Sequence, residues 1–305
     1  MDDEFPKISA RVVAVYGKDI KVYYSGAYYD CSIRGKLLQT QLQSSPIAVG
    51  DNVEIIIHDS GKATIEKVLP RKQSVYRPDI LGKSTHQVIA TNLDQLIIVS
   101  STQDPKFKPG LVDRFLVSAE IFGLPAVVII NKIDLQEPAN YYRHSSVWGK
   151  LGYRVIFTSA KTREGIPEVI EILRAKTSTF AGHSGVGKSS LLNAIQPDLK
   201  IRTREISKSS GRGVHTTTSV IMYPLDFGGW VADTPGLKIF GLVESEKTSL
   251  QDYFPEFAAY ENQCKFTNCQ HRDEPGCRIK RAVDEGEVAG FRYHSYLKLW
   301  DQLDT

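Results

Sequence analysis

No stretch of the 305-residue sequence approaches the roughly 20 consecutive apolar residues that a membrane-spanning helix needs. The acidic start, Met1-Asp2-Asp3-Glu4, lacks the basic and apolar regions of a secretory signal, so a cytoplasmic location is expected. An excess of one charge is missing too. Lys and Arg number 38 against 35 Asp and Glu, a formal +3 that permits nucleic-acid binding without arguing for it. Cysteine is scarce, and in a reducing compartment a cluster among only four suggests metal before disulfide. Internal repeats and low-complexity tracts are absent. What is there is an ordinary globular composition, 41% apolar and 24% charged, in a chain long enough for two or three domains.

The N-terminal part reads as short strands. Ile8–Tyr16, Asp19–Ser25, Tyr28–Ile33, Asn52–His58 and Ala63–Val68 are rich in β-branched and aromatic residues, and Gly17-Lys18, Ser25-Gly26 and Ser60-Gly61 punctuate them. Five such strands predict an OB-type β-barrel over residues 1–70, with an SH3-like barrel as the competitor. Tyr16, Tyr23, Tyr24, Tyr28 and Tyr29 either stack nucleic-acid bases or pack a small β core. Pro70 to about Ser84 reads as a linker carrying Arg71, Lys72, Arg77 and Lys83. Strands then alternate with helices. Leu93–Ser100, Pro125–Ile130, Arg154–Thr158 and Thr177–Ala181 are strands, with Val220–Pro224 and Trp230–Ala232 after them, and Leu111–Phe122 and Lys188–Ile195 are helices. That pattern predicts an open α/β sheet over 71–248 (linker 71–84 included), with ligand loops at the strand C-termini. Over 249–305 the strand signals stop. Leu250–Ala259 and Val288–Leu303 read as helical, with a cysteine-rich loop between them.

The chemistry sits in four motifs. Gly182-His183-Ser184-Gly185-Val186-Gly187-Lys188-Ser189, with Ser190 next, is a complete phosphate loop between a strand and a helix. Its glycines let backbone N–H groups approach phosphate, Lys188 neutralises β and γ charge, and the Ser189 hydroxyl suits Mg²⁺. Asn131-Lys132-Ile133-Asp134 selects the base: the Asp134 carboxylate accepts from two guanine donors that adenine lacks, Lys132 covers the base face, and Asn131 ties this loop to the phosphate loop. In Ser159-Ala160-Lys161, the Ala160 N–H suits guanine O6. Asp233-Thr234-Pro235-Gly236 brings a carboxylate for the Mg²⁺ second shell and the Gly236 N–H for a γ-phosphate. The polar segment from Arg202 to Thr218 reads as a switch, with Thr217 preferred over Thr216 as a Mg²⁺ ligand. Its basic residues read as a solvated loop or an RNA-facing patch. Leu237 stands where many GTPases place a water-orienting glutamine, so unaided hydrolysis should be slow, and His215 is the internal candidate for the missing group.

These motifs are out of the usual order. The base-recognition pair precedes the phosphate loop, so the site is built from a circularly permuted chain. Further on, Cys264-x4-Cys269-x-His271-x5-Cys277 offers three thiolates and an imidazole, a set suited to one closed structural zinc, while Cys31 reads as a barrel core residue.

The permuted order, Gly-His-Ser-Gly-Val-Gly-Lys-Ser, Gly213-x-His215-Thr216-Thr217-Thr218, Asp-Thr-Pro-Gly and the cysteine loop together resemble the ribosome small-subunit-dependent GTPase A family, the RsgA type, over essentially the whole chain. The resemblance implies an N-terminal OB-type β-barrel, a central circularly permuted P-loop α/β GTPase domain and a C-terminal helical zinc domain. It also implies a bacterial GTP hydrolase that acts late in small-subunit maturation, binds rRNA through its flanking domains and is stimulated by the subunit. Val214 departs from the basic residue the family usually carries there. A monomer is expected. The alternative class is a GTP-gated RNA-binding or translation-regulating module with incidental turnover.

Overall fold

A computed structural model describes residues 7–17, 19–34, 47–77, 87–199, 220–233 and 244–303. Thirteen strands lie among them: β1 (Ile8–Tyr16), β2 (Asp19–Tyr24), β3 (Ala27–Ile33), β4 (Asn52–Ile57), β5 (Ala63–Val68), β6 (Ser74–Arg77), β7 (Gln87–Thr91), β8 (Gln95–Ser101), β9 (Ala126–Asn131), β10 (Arg154–Thr158), β11 (Thr177–Ala181), β12 (Ile221–Pro224) and β13 (Trp230–Asp233). The α-helices are α1 (Pro109–Ile121), α2 (Ala139–Lys150), α3 (Ile166–Leu173), α4 (Lys188–Ile195), α5 (Arg278–Asp284) and α6 (Gly290–Gln302). None of the described helices is long and apolar enough to cross a membrane. The chain forms two compact units. The described residues up to Leu96, with Val169–Ala181 and the stretch from Leu192 through β13, make the first. Ile97–Glu168, Gly182–Leu191 and the described residues from Glu244 onward make the second.

The first unit contains a closed five-stranded barrel. The strands run β1-β2-β3-β5-β4, and β4 returns to β1 with Ile8 opposite Ile55 and Arg11 opposite Asn52. β3 and β5 are parallel, Cys31 opposite Ala63, and the other pairs are antiparallel. This closure is the OB order and decides against the SH3-like alternative. Alternation along the strands points one face inward, so Val12, Val22, Val53, Ile55 and Ile65 are fully buried around Ile20 and Cys31. The β1–β4 pairing ends at Arg11, a register shift falls between Val12 and Ala14 while β1 stays paired with β2 through Tyr16, and Ala14 also pairs with Ile221 of β12. β12 pairs antiparallel with β13, which lies parallel to β11. The barrel strand is thus hydrogen-bonded into the sheet that ends at Asp233.

The segment read as a linker is not wholly irregular. Its residues Ser74–Arg77 form β6, antiparallel to β7. Just upstream, Arg71 grips the buried Asp51 carboxylate through Nε (2.7 Å) and Nη2 (2.8 Å), and the Thr91 hydroxyl donates to the same group at 2.8 Å. These bonds fix the barrel loop against the β6–β7 hairpin.

In the second unit the strands run β10-β9-β8. β9 and β10 are parallel, and Asn131 lies opposite Thr158, so both recognition loops leave the same sheet edge. The C-terminal segment shares a core with α1: Val117 packs with Leu250, Phe254, Phe257, Tyr296 and Trp300. A buried ion network crosses that core. The Asp113 carboxylate accepts from Trp148 Nε1 (2.8 Å), Arg292 Nη1 (2.8 Å) and Ser295 Oγ (2.5 Å), and Arg292 donates to Glu256 from Nε (2.7 Å) and Nη2 (3.1 Å). Burial works against the Arg292 charge, but Asp113 and Glu256 outweigh it and hold its pKa above the ordinary value. The helix expected at Leu250–Ala259 is two 3₁₀ segments, Glu244–Tyr253 and Pro255–Tyr260. Pro255 disfavours α geometry at the residue before it, and Phe254 accordingly is extended at φ −113°, ψ 93°.

Candidate functional site: a nucleotide loop pair and a cysteine–histidine cluster

β9 is buried from Val127 onward and delivers Asn131, itself buried, at its end. The Asn131 amide donates through Nδ2 to Val186 O at 2.9 Å, inside the phosphate loop. Its Oδ1 accepts from Thr158 Oγ1 at 3.1 Å, and the Ala160 N–H is aimed at the same oxygen at 3.3 Å. One side chain therefore joins three loops that are far apart in sequence. Lys132 follows with a left-handed backbone, φ +63°, and its ammonium donates to Asp104 O. Asp134 is exposed, and its Oδ1 accepts from the buried Ser159 hydroxyl at 2.6 Å. That bond orients the carboxylate. The Ser159 oxygen in turn accepts from the Thr162 N–H at 3.1 Å, while Lys161 is exposed.

The phosphate loop runs from Gly182, after β11, into α4 at Lys188. Two of its glycines are sterically required. A Cβ on Gly182 (φ +149°) would lie 2.2 Å from Val99 O, and one on Gly187 (φ +95°) would lie 2.3 Å from Asn131 Nδ2. Lys188 folds back over the loop and donates to Gly182 O (2.7 Å) and His183 O (3.0 Å). His183 Nδ1 lies 2.8 Å from Ser184 O; Ser184, Gly185 and Ser190 are exposed, Val186 is buried and Ser189 is intermediate. The remaining sequence-derived positions, His215, Thr216, Thr217, Gly236 and Leu237, lie outside the described residues, and of Asp233 only the backbone is described. Sequence reasoning did not single out Thr158, which orients Asn131. Its one signal is its place at the C-terminal end of a buried strand.

In the C-terminal segment Cys264, Cys269, His271 and Cys277 converge, with their ligand atoms all within 4.8 Å of one another. His271 Nδ1 is 3.5 Å from Cys264 Sγ and 3.4 Å from Cys277 Sγ. The Arg278 and Lys280 N–H groups donate to Cys264 and Cys277 sulfur. Tyr293 and Tyr296 hold the loop by donating to His271 O (2.6 Å) and Gln270 O (2.7 Å). Burial pushes the Cys269 thiol up to about 12, raises Cys277 and lowers His271. The cluster can hold one metal ion, which on binding would displace the thiol protons. Cys31 lies apart in the barrel core, buried, with its thiol raised to about 12 by desolvation.

A base-recognition loop locked to a phosphate loop that follows it in the chain defines the class: a circularly permuted P-loop GTPase with a barrel before it and a cysteine–histidine cluster after it. A model of the RsgA GTPase family matches residues 68–243. The small ribosomal subunit biogenesis GTPase RsgA of Flavobacterium johnsoniae is 40% identical over 284 residues, covering 90% of this chain and 86% of that one. The protein of the same name from Thermotoga petrophila is 42% identical over 276 residues, covering 90% and 88%. Among solved structures, YjeQ from Thermotoga maritima superposes with a TM-score of 0.78 at 37% identity, over 98% of this chain and 99% of that one. YloQ, described as a circularly permuted GTPase, gives 0.72 at 28% identity over 100% and 97%. The chain belongs to the RsgA GTPase family.

Proposed function

We propose that the protein hydrolyses GTP during late maturation of the small ribosomal subunit, in the cytoplasm, as a monomer that contacts the subunit and its rRNA. The observation that carries this reading is the Asn131 bridge to Val186, which joins a guanine-selective loop to a phosphate loop. The names of the relatives supply the ribosomal context. The division proposed is a barrel over 1–70, a GTPase domain over 71–248 and a metal-binding helical domain over 249–305.

In this scheme Asp134 and the Ala160 N–H read the guanine edge, with Ser159 and Lys161 shaping that side of the site, and Lys132 covers the base. The loop from Gly182 to Ser190 cradles phosphates, with Lys188 neutralising their charge. Ser189 and Thr217 would hold magnesium, with Asp233 behind it and the Gly236 N–H on the γ-phosphate. Magnesium would neutralise charge developing on the phosphate oxygens. His215 would position the attacking water, in place of a glutamine absent at Leu237. For the cysteine cluster we propose zinc. Zn–S near 2.3 Å and Zn–N near 2.0–2.1 Å give a tetrahedral S···N edge of about 3.5 Å, and the two His271–sulfur distances are 3.5 and 3.4 Å.

The test is single-turnover GTP hydrolysis with and without purified small subunits. Strong stimulation is expected. GTP-dependent subunit binding without stimulation would replace this reading with a GTP-gated RNA-binding module.

A further inference from the structure

Lys132 is held in a backbone conformation that L-residues with a Cβ rarely adopt, φ +63°. It is flanked by the two residues on which base recognition depends, Asn131 just before it and Asp134 two positions on. Something must keep that peptide turned. Inside the loop the Leu135 N–H donates to Lys132 O at 3.0 Å, and a second restraint comes from beyond a different strand. Thr102 follows β8, whose residues from Ile97 to Ser101 are all buried, so it is carried on a rigid support. Its N–H donates to Asn131 O at 3.0 Å, and its buried hydroxyl donates to Lys132 O at 2.5 Å. The next two residues extend the contact. Gln136 Nε2 donates to Gln103 Oε1 at 2.8 Å, and the Lys132 ammonium donates to Asp104 O. Residues 102–104 therefore meet the loop 131–136 at four points, and Thr102 supplies the two that act on its backbone.

We propose that Thr102 is a positioning residue for guanine recognition: its hydroxyl fixes the left-handed Lys132 peptide and so sets where the Lys132 stem and the Asp134 carboxylate meet the base. This rests on the reading of Asn131–Asp134 as the base-recognition loop. Thr102 touches no reacting atom. Its contribution is the same with GDP or GTP bound and in the transition state, so its loss raises KM and leaves kcat in place. Valine matches threonine in shape but takes away one of the two donors to Lys132 O, leaving only the Leu135 N–H at 3.0 Å, whereas serine keeps the hydroxyl.

The experiment compares the full-length parent with Thr102→Val, Thr102→Ser and Asp134→Asn, by GDP titration, steady-state GTP turnover and thermal melting. Thr102→Val is expected to weaken GDP about tenfold and raise KM by about the same factor, with kcat within about twofold. Thr102→Ser should restore parental affinity. Parental GDP affinity in Thr102→Val, while Asp134→Asn loses it, overturns the proposal and leaves the base reading standing. A fall in kcat with a lowered melting temperature in both Thr102 variants also overturns it, by assigning the residue to folding. Parental GDP affinity in Asp134→Asn overturns the base reading itself.

Discussion

Replacing the Asp134 carboxylate with an amide removes the proposed acceptor for two guanine donors and offers the Ser159 hydroxyl a weaker partner in place of its present 2.6 Å bond. A hydrogen bond to a charged group is worth about 1.5–3 kcal/mol, so Asp134→Asn should lose at least about tenfold in GDP affinity. Xanthine nucleotide should gain relative to guanine, and competition titration with the two diphosphates reads both effects. At the cluster, Cys277→Ala removes a ligand and also the sulfur that caps α5 by accepting the Lys280 N–H. Metal content should fall from the proposed one zinc per chain towards none while GTP binding is nearly kept. Cys31→Ala should keep its zinc, because that thiol sits in the barrel core away from the cluster. Elemental analysis of both proteins decides this, and full occupancy in Cys277→Ala would mean the ligand set is wrong. These residues were legible because each belongs to a short motif whose spacing is dictated by its ligand. Asp113 and Arg292 were not. Each reads as an ordinary surface charge on a helix, and nothing local announces that the partners, 179 positions apart, meet in the dark.

Elements were legible to the extent that their burial is one-sided or complete. The barrel strands alternate, and β8 and β9 centre on apolar runs, so both kinds declare themselves. The β6–β7 hairpin was hidden because β6 is short and lies among prolines and basic residues. In α2 the buried face is Tyr141, Ser145 and Trp148, and a polar residue in the middle of that stripe masks its helical period. The pairing of α1 with α6 combines a shared apolar core with the Asp113–Arg292–Glu256 network, where both partners of the central pair are fully buried. Breaking such a pair from one side leaves a buried charge uncompensated, at a cost of about 3–5 kcal/mol. Arg292→Ala should therefore lower the denaturant midpoint sharply, whereas exchanging the exposed pair Arg154–Glu168 for alanines should leave it nearly unchanged, a difference in unfolding free energy of less than about 1 kcal/mol. Equal midpoints for the two variants would remove the network from the account of stability.

For the whole molecule, the permuted order carries the chain from the phosphate loop through the proposed switch and β13 on to the cysteine–histidine segment. Hydrolysis should be slow for the protein alone and faster with small subunits, because Leu237 offers water no hydrogen bond and the missing group can be worth orders of magnitude in rate. His215→Ala should bind GTP and subunits normally yet lose most of the stimulated rate. An unchanged rate would move the catalytic group to the ribosome. The single pairing of Ala14 with Ile221 has a bearing on evolution and engineering alike. A chain shortened to start after the barrel would leave β12 as a bare sheet margin, a template on which a second copy can add. Such a fragment should self-associate in light scattering, and a lysine placed at Ile221 should suppress it. The barrel is thus a plug for the sheet as well as a fold of its own, which gives selection a reason to keep it attached.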